Sequence, residues 1–357
     1  MTRRTSRLSP TRRGFLAGTG AVAAGLTLPK DAFAAGQLNF YNWDTYIGET
    51  TLEDFTAATG VNVQYDLFAD NDELFAKLKN GNPGYDLIVP TNDYVERMII
   101  AEMLDELDHS KIPNIANVNT AFLDPAFDPG RKYSLPYMWG TIGVGYRKSK
   151  VDGVPDSWAD FYTSDKYSKR IAMLSTPDYV FGMALKLMGK SLNDWSDENI
   201  AAAEAMVLAQ KEHIAAFAPD NGQDLLLAGE VDLAMEWNGD ILQAMEEDDD
   251  IGFVVPKEGG LVWEDTLCVP KGAPNPEAAH QMVNFLLDAE VGRDLAEYIY
   301  YATPNAAAKE LTSEEYKTNP AIFPSEETLA RCEAAIFAGV ERVQAIDAAW
   351  TRVKAAG

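Results

Sequence analysis

Residues 38–68 read LNFYNWDTYIGETTLEDFTAATGVNVQYDLF, and the fold class turns on them. The segment opens on LNFYNW, an apolar and aromatic run of strand character. Through GETTLEDFTAATG the apolar residues recur at helical spacing, and Gly60 supplies a C-terminal stop. VNVQYDLF then reads as a second strand. A strand–helix–strand unit of this kind builds a parallel sheet with right-handed crossovers. One feature of the unit is odd. Two large rings, Trp43 and Tyr46, flank a carboxylate, Asp44, at the mouth of the first strand, where a small turn would serve.

The alternation continues down the chain. NDELFAKLKNG reads as a helix started by Asn71 or Asp72, YDLIVP as a third strand ending at Pro90, and YVERMIIAEM as a helix. Ligands of open α/β sheets lie beyond the carboxyl ends of the strands. The loops Trp43-Asp44-Tyr46 and Thr91-Asn92-Asp93 therefore face one crevice. YSLPYMWGTIGVGYRKSKV is long and extended and reads as a strand passing between two lobes. A second α/β unit runs from RIAMLS to GFVVPKEGG, and LVWEDTLCVP crosses back; the C-terminal stretch from SEETLARC onward reads as almost wholly helical. The expected organisation is an α/β protein of two lobes, residues 35–140 plus 266–306 and residues 141–265 plus 307–357. A site between such lobes opens and closes by hinge motion.

Residues 1–34 stand apart. A basic start, the paired Arg12-Arg13, a weakly apolar run from Gly14 to Pro29 and the small-x-small sequence Ala32-Phe33-Ala34 read as a removable export signal. Its arginine pair resembles a twin-arginine signal, the alternative being an ordinary secretory signal. No cysteine follows the cleavage pattern and no later run suits a membrane span, so a soluble periplasmic product is expected. Removing six basic residues and one acidic residue from totals of 30 and 55 leaves a formal charge of −30. That charge argues against nucleic acid and anionic lipid as partners and is compatible with a cationic ligand. Cys268 and Cys332 match neither a redox pair nor a zinc site; a disulfide and two separate thiols both remain open.

Catalytic motifs are missing from the sequence: no HExxH, GxSxG, GxxxxGK[ST] or GxGxxG is present. His109, His213 and His280 read as surface residues, the acidic run Glu246–Asp250 as a fraying helix tail and solvated turn, and no metal or cofactor is expected. What recurs is an aromatic residue beside a carboxylate at a strand end. In LVWEDTLCVP, Trp263 and Asp265 share one face of a strand while Glu264 points away. In AMEWNGD, Trp237 ends a strand, with Asn238 and Asp240 in the following loop, and Tyr301 adjoins ATPN. Aromatic faces attract cations and carboxylates bind ammonium groups. A slot of parallel rings with carboxylates at intervals suits a ligand of methylenes and ammonium groups.

FYNWDTYI, AKLKNGNPGYDLIVPTNDYVERM, YSLPYMWGTIGVGY, GEVDLAMEWNGD, VPKEGGLVWEDTLCVPKGAPNPEAAHQMVNFLL and YATPNAAAKELTSEEY together resemble the spermidine/putrescine-binding proteins of bacterial ABC importers. The resemblance spans nearly the whole chain after residue 34. It implies a periplasmic binding protein fold of type II, a polyamine ligand, no catalysis, and delivery to a membrane permease with a cytoplasmic ATPase. A monomer is expected. The resemblance implies ligand contacts at Trp43, Tyr46, Thr91, Trp237, Trp263, Asp265 and Tyr301, with Asp265 holding an ammonium group and the two tryptophans walling methylenes. Two departures stand out. Where the family places amine-binding acids, this chain has Thr176 and Tyr179 with Asp178 between them, and Ala335 aligns with a ligand-binding Gln. Asp93, Asp178 and Asp240 are the candidates to supply the carboxylates instead, and Asp44 is a further candidate ligand contact. Three rivals remain open: a receptor for another small organic cation, an exported hydrolase using Asp44 and Asp265, and an interaction scaffold.

Overall fold

The computed structural model describes residues 36–356; the export signal read at residues 1–34 lies outside them. The strands are β1 (Gln37–Trp43), β2 (Asn62–Phe68), β3 (Leu87–Ile88), β4 (Ser134–Arg147), β5 (Ile171–Leu174), β6 (Ile214–Ala218), β7 (Leu233–Trp237), β8 (Ile251–Val254), β9 (Leu261–Cys268) and β10 (Glu333–Ala334). They form one hydrogen-bonded array in the order β2-β1-β3-β9-β4-β7-β5-β6, with β10 on β9 and β8 on β4.

The array has two similar halves. In the first, β1 lies parallel between β2 and β3, and β9 runs antiparallel to β3. In the second, β5 lies parallel between β6 and β7, and β4 runs antiparallel to β7. Strand β4 belongs to both: residues 134–141 pair with β9 and residues 142–146 with β7. The sequence read as extended and lobe-crossing is one continuous strand. The return passes through β8 and β9, which pair with successive stretches of the same strand.

Local chemistry explains most element ends. Gly60 terminates helix Thr51–Thr59 at φ 75°, and its N–H donates to the Thr56 carbonyl. That conformation is cheap only without a Cβ. Helix Asn71–Leu78 begins at Asn71, within the start expected, and is capped by Asp70, which accepts the Glu73 N–H. Helices Asn92–Ile100, Pro177–Leu187 and Asn238–Glu247 follow β3, β5 and β7 closely. Asn92, Asp93, Asn238 and Asp240 are thus first-turn helical residues, where loops were expected.

Three further readings are corrected. The C-terminal stretch is not almost wholly helical: helix Glu326–Leu329 gives way to β10, and helix Val340–Ala355 starts only after Gly339 at φ 84°. Pairing of Glu333 and Ala334 with Leu261 and Val262 holds that segment extended. The Glu246–Asp250 run is not merely solvated, because Asp248 accepts from Arg147 and Asp250 from Ser149. His280 is buried within helix Pro276–Leu286, and its Nε2 accepts the Asp108 N–H at 2.9 Å, a structural contact. Cys268 and Cys332 are both free thiols. Among the described residues no helix is long and apolar enough to cross a membrane.

Candidate functional site

The carboxyl ends of β1, β3, β6 and β7 and the inner face of β9 converge on a cavity of about 320 Å³. It is lined by Trp43, Asp44, Tyr46, Thr91, Asp220, Trp237, Asp240, Trp263, Asp265 and Tyr301. Nine of these were expected from sequence; Asp220 was not.

The rings are fixed first. Trp43 Nε1 donates to the Val89 carbonyl at 2.9 Å, and Trp237 Nε1 to Asp220 at 3.1 Å. The centroids of Trp237 and Trp263 lie 5.7 Å apart, those of Trp263 and Tyr301 5.2 Å, and those of Tyr46 and Tyr301 5.1 Å. The planes cross at 85°, 72° and 89°, so the wall is an edge-to-face box and not a slot of parallel rings. Edge-to-face contact sets the positive rim of one ring on the negative face of the next, which neighbouring aromatics prefer over a face-to-face sandwich. Two glycines admit the rings. A Cβ on Gly140 would lie 2.6 Å from the Trp263 ring, and one on Gly239 2.4 Å from the Tyr301 ring.

The carboxylates occupy two ends of this box. At one end the Thr91 hydroxyl donates to Asp265 at 2.7 Å, and Asn71 Nδ2 donates to the same hydroxyl at 2.8 Å. Tyr46 lies alongside, its buried hydroxyl making no hydrogen bond of normal geometry. Burial raises Asp265 to about 7, against the Thr91 and Tyr46 contacts that lower it. At the other end stand Asp240, Asp220 and Asp44. The Thr45 hydroxyl donates to Asp240 at 3.3 Å, joining the segment after β1 to the helix after β7. Burial, then neighbouring acids, push Asp220 and Asp240 upward. Among the described residues no lysine, arginine or histidine lines this cavity. Burying carboxylates without a counter-charge is costly, and they take up protons or wait for a cation.

Asp93, Asp178 and Tyr179 do not line this cavity. They line an adjoining chamber of about 630 Å³, where Asp72, Tyr94, Arg97 and the segment Ala335–Ala338 also contribute. Asp93 and Asp178 lie in the first turns of two helices; burial raises both, helped at Asp93 by the Asp265 and Asp72 carboxylates and at Asp178 by those of Asp93 and Asp72. Tyr179 reaches the first box through an edge-to-face contact with Trp237 at 5.7 Å.

A pair of two-half sheets, a strand shared between them and a cavity at the strand ends is an architecture made to hold a solute. Residues 50–324 match the family model described as bacterial extracellular solute-binding protein. The chain belongs to that family.

Its relatives agree. The spermidine/putrescine-binding periplasmic protein of Escherichia coli is 37% identical over 320 residues, 89% of this chain and 91% of that protein. The putrescine/cadaverine-binding protein of Pseudomonas aeruginosa is 34% identical, covering 90% of this chain and 95% of its own. Among solved structures, a spermidine/putrescine ABC transporter substrate-binding protein from Streptococcus pneumoniae matches with a TM-score of 0.77 and 31% identity, over 90% of this chain and 99% of that one. This solute-binding protein thus has the type II fold expected of it, and its role is substrate binding.

Asp220 was legible by the rule that found its neighbours. It follows β6 at the same sheet edge, three residues after Phe217 in FAPDNG, the spacing that separates Asp240 from Trp237. Glu236, buried behind the cavity wall, carried no signal at all: it sits inside a strand whose every residue is buried.

Proposed function

We propose that this solute-binding protein captures a linear polyamine, a di- or triamine such as putrescine or spermidine, and releases it to an ABC permease with a cytoplasmic ATPase, without chemistry. One observation carries the reading: four aspartates line an aromatic cavity to which no described residue contributes a basic side chain. A dication supplies the missing counter-charge at both ends while its methylenes lie against the indoles.

Asp265 takes one ammonium group, with Tyr46 and Thr91 beside it. Asp240, Asp220 and Asp44 take the other. Trp43, Trp237, Trp263 and Tyr301 cover the spine. Asp93, Asp178 and Tyr179 offer a further cationic position in the adjoining chamber to a longer amine. Each ammonium–carboxylate bond is worth about 1.5–3 kcal/mol and each ring face about 0.5–2 kcal/mol. Micromolar affinity, about 8 kcal/mol, therefore needs several of these together. Lobe closure assembles them. The two lobes, residues 35–140 plus 266–306 and residues 141–265 plus 307–357, hinge on β4 and on the return through β8 and β9. The protein works in the periplasm as a monomer.

A thermal-shift panel of diamines, triamines, quaternary ammonium compounds, amino acids and sugars tests the reading. A ligand at a hundredfold excess over its Kd stabilises by about 2.7 kcal/mol. Di- or triamines are expected to shift the melting point and the other classes to leave it unchanged. Stabilisation by amino acids or sugars with none by amines would refute the assignment. Mass spectrometry of the recovered amine is expected to find it unaltered; a modified product would favour the hydrolase.

A further inference from the structure

The cation-binding reading leaves one side chain without a task. Glu236 does not line the cavity; it lies wholly buried on β7, one residue before Trp237. One of its oxygens accepts the Gly222 N–H at 3.1 Å and the other the Trp237 N–H at 3.2 Å. The fit is close, for a Cβ on Gly222 would meet Glu236 Oε2 at 2.3 Å. The carboxylate is therefore fixed in place. One oxygen each of Glu236, Asp220 and Asp240 lie within 4.8 Å of one another.

Hydrogen bonds from Tyr301 and Thr45 to Asp240, from Trp237 to Asp220 and from two backbone N–H groups to Glu236 relieve this crowding in part. No positive charge of the described residues does: the other charged groups acting on the three are Asp44 after β1, Asp224 on helix Gly222–Leu227 and Asp265 on β9. Like charges at such separations in a desolvated site do not ionise together, and the protons belong to the cluster rather than to one residue. Burial and mutual repulsion raise the proton affinity of all three.

We propose that Glu236 is a positioning residue that keeps a proton on the Asp220–Asp240–Glu236 cluster, and that an ammonium group binds there by displacing this proton into solvent. The inference rests on the cation-binding reading. The exchange balances: the amine keeps its own proton, the cluster loses one, and the charge entering the site as ammonium leaves it as H⁺. Binding then strengthens with rising pH, by about tenfold per pH unit for each proton released. Asp265 adds its own release at the opposite end, so the diagnostic quantity is the share that depends on Glu236.

The chain lacking residues 1–34 is titrated with 1,4-diaminobutane in unbuffered salt under a pH-stat set at successive values from weakly acid to weakly alkaline, and Kd is followed across the same range. The wild type is expected to release more than about one proton per diamine at the acid end, more than Asp265 alone can supply. Glu236→Gln is expected to release about one fewer and to flatten the dependence of log Kd on pH, while still binding the diamine in alkaline solution. Glu236→Asp is expected to restore part of the release. Binding by the wild type without proton release, or with no more than one, overturns the proposal, and this needs no variant to fold. Equal release by wild type and E236Q overturns the role of Glu236. A wild type that binds no diamine overturns the underlying reading, and the exchange with it.

Discussion

Glu264 and Asp265 are neighbours on β9 and face opposite ways. Asp265 is buried and Glu264 partly so, and desolvation raises each to about 7. Glu264 meets Arg131, a guanidinium only 1% exposed, so its counter-charge is built into the chain. Asp265 meets Thr91, Tyr46 and the aromatic box, with no cation of the described residues lining the cavity. The same strand thus carries one carboxylate paired within the chain and one that the proposed reading assigns to a ligand. A buried charge left without a protein partner is the mark of the site, more than the charge itself.

The sharpest way to break this comparison is Glu264→Gln. It strands Arg131 in the interior and is expected to cost about 3–5 kcal/mol of stability, read by urea unfolding, with amine affinity almost unchanged. A large loss of affinity in a stable E264Q protein would erase the distinction between the two faces.

Next in size, Asp265→Asn is expected to weaken amine binding by about 1.5–3 kcal/mol, roughly 10- to 150-fold by calorimetry. Here the ligand-free protein gains stability. The carboxyl of Asp265 sits above its unfolded value, so its burial costs nothing below about pH 4, costs more as pH rises, and levels off above about 7. The stability advantage of D265N over wild type should therefore grow across that window; an advantage largest in acid would contradict the sign. Trp263→Leu, which removes a ring face but keeps an apolar wall, should cost about 0.5–2 kcal/mol of affinity. Smallest is Thr91→Val, which deletes one hydrogen bond to Asp265 and should cost about 1 kcal/mol; an effect as large as that of D265N would make Thr91 the true anchor.

Much of the site was readable because strand geometry is local. Period two placed Trp263 and Asp265 on one face and Glu264 on the other, and the pairing bears this out. The rule that solutes gather at strand ends brought Trp43, Thr91, Trp237 and Asp240 together across nearly 200 residues. It also pointed to Asp93, which, like Asp178 and Tyr179 taken from the family resemblance, lies in a helix at the same sheet edge but opens into the neighbouring chamber. Which chamber a first-turn residue enters depends on the helix's tilt against its neighbours, and no spacing encodes that tilt. Ring orientation failed for a similar reason: edge-to-face packing is settled among partners from four separate segments.

Sequence by itself determined the alternation of strands and helices, the excess of negative charge, and the recurrence of rings beside acids, all set by neighbours a few residues apart. Only tertiary structure decided which acid found a basic partner. Arg131 reached Glu264 across 133 positions, whereas Asp220, Glu236 and Asp240 were brought together with none. Whether a charge is neutralised depends on what folding carries to within a few ångströms of it, and that distance is a property of the assembled sheet.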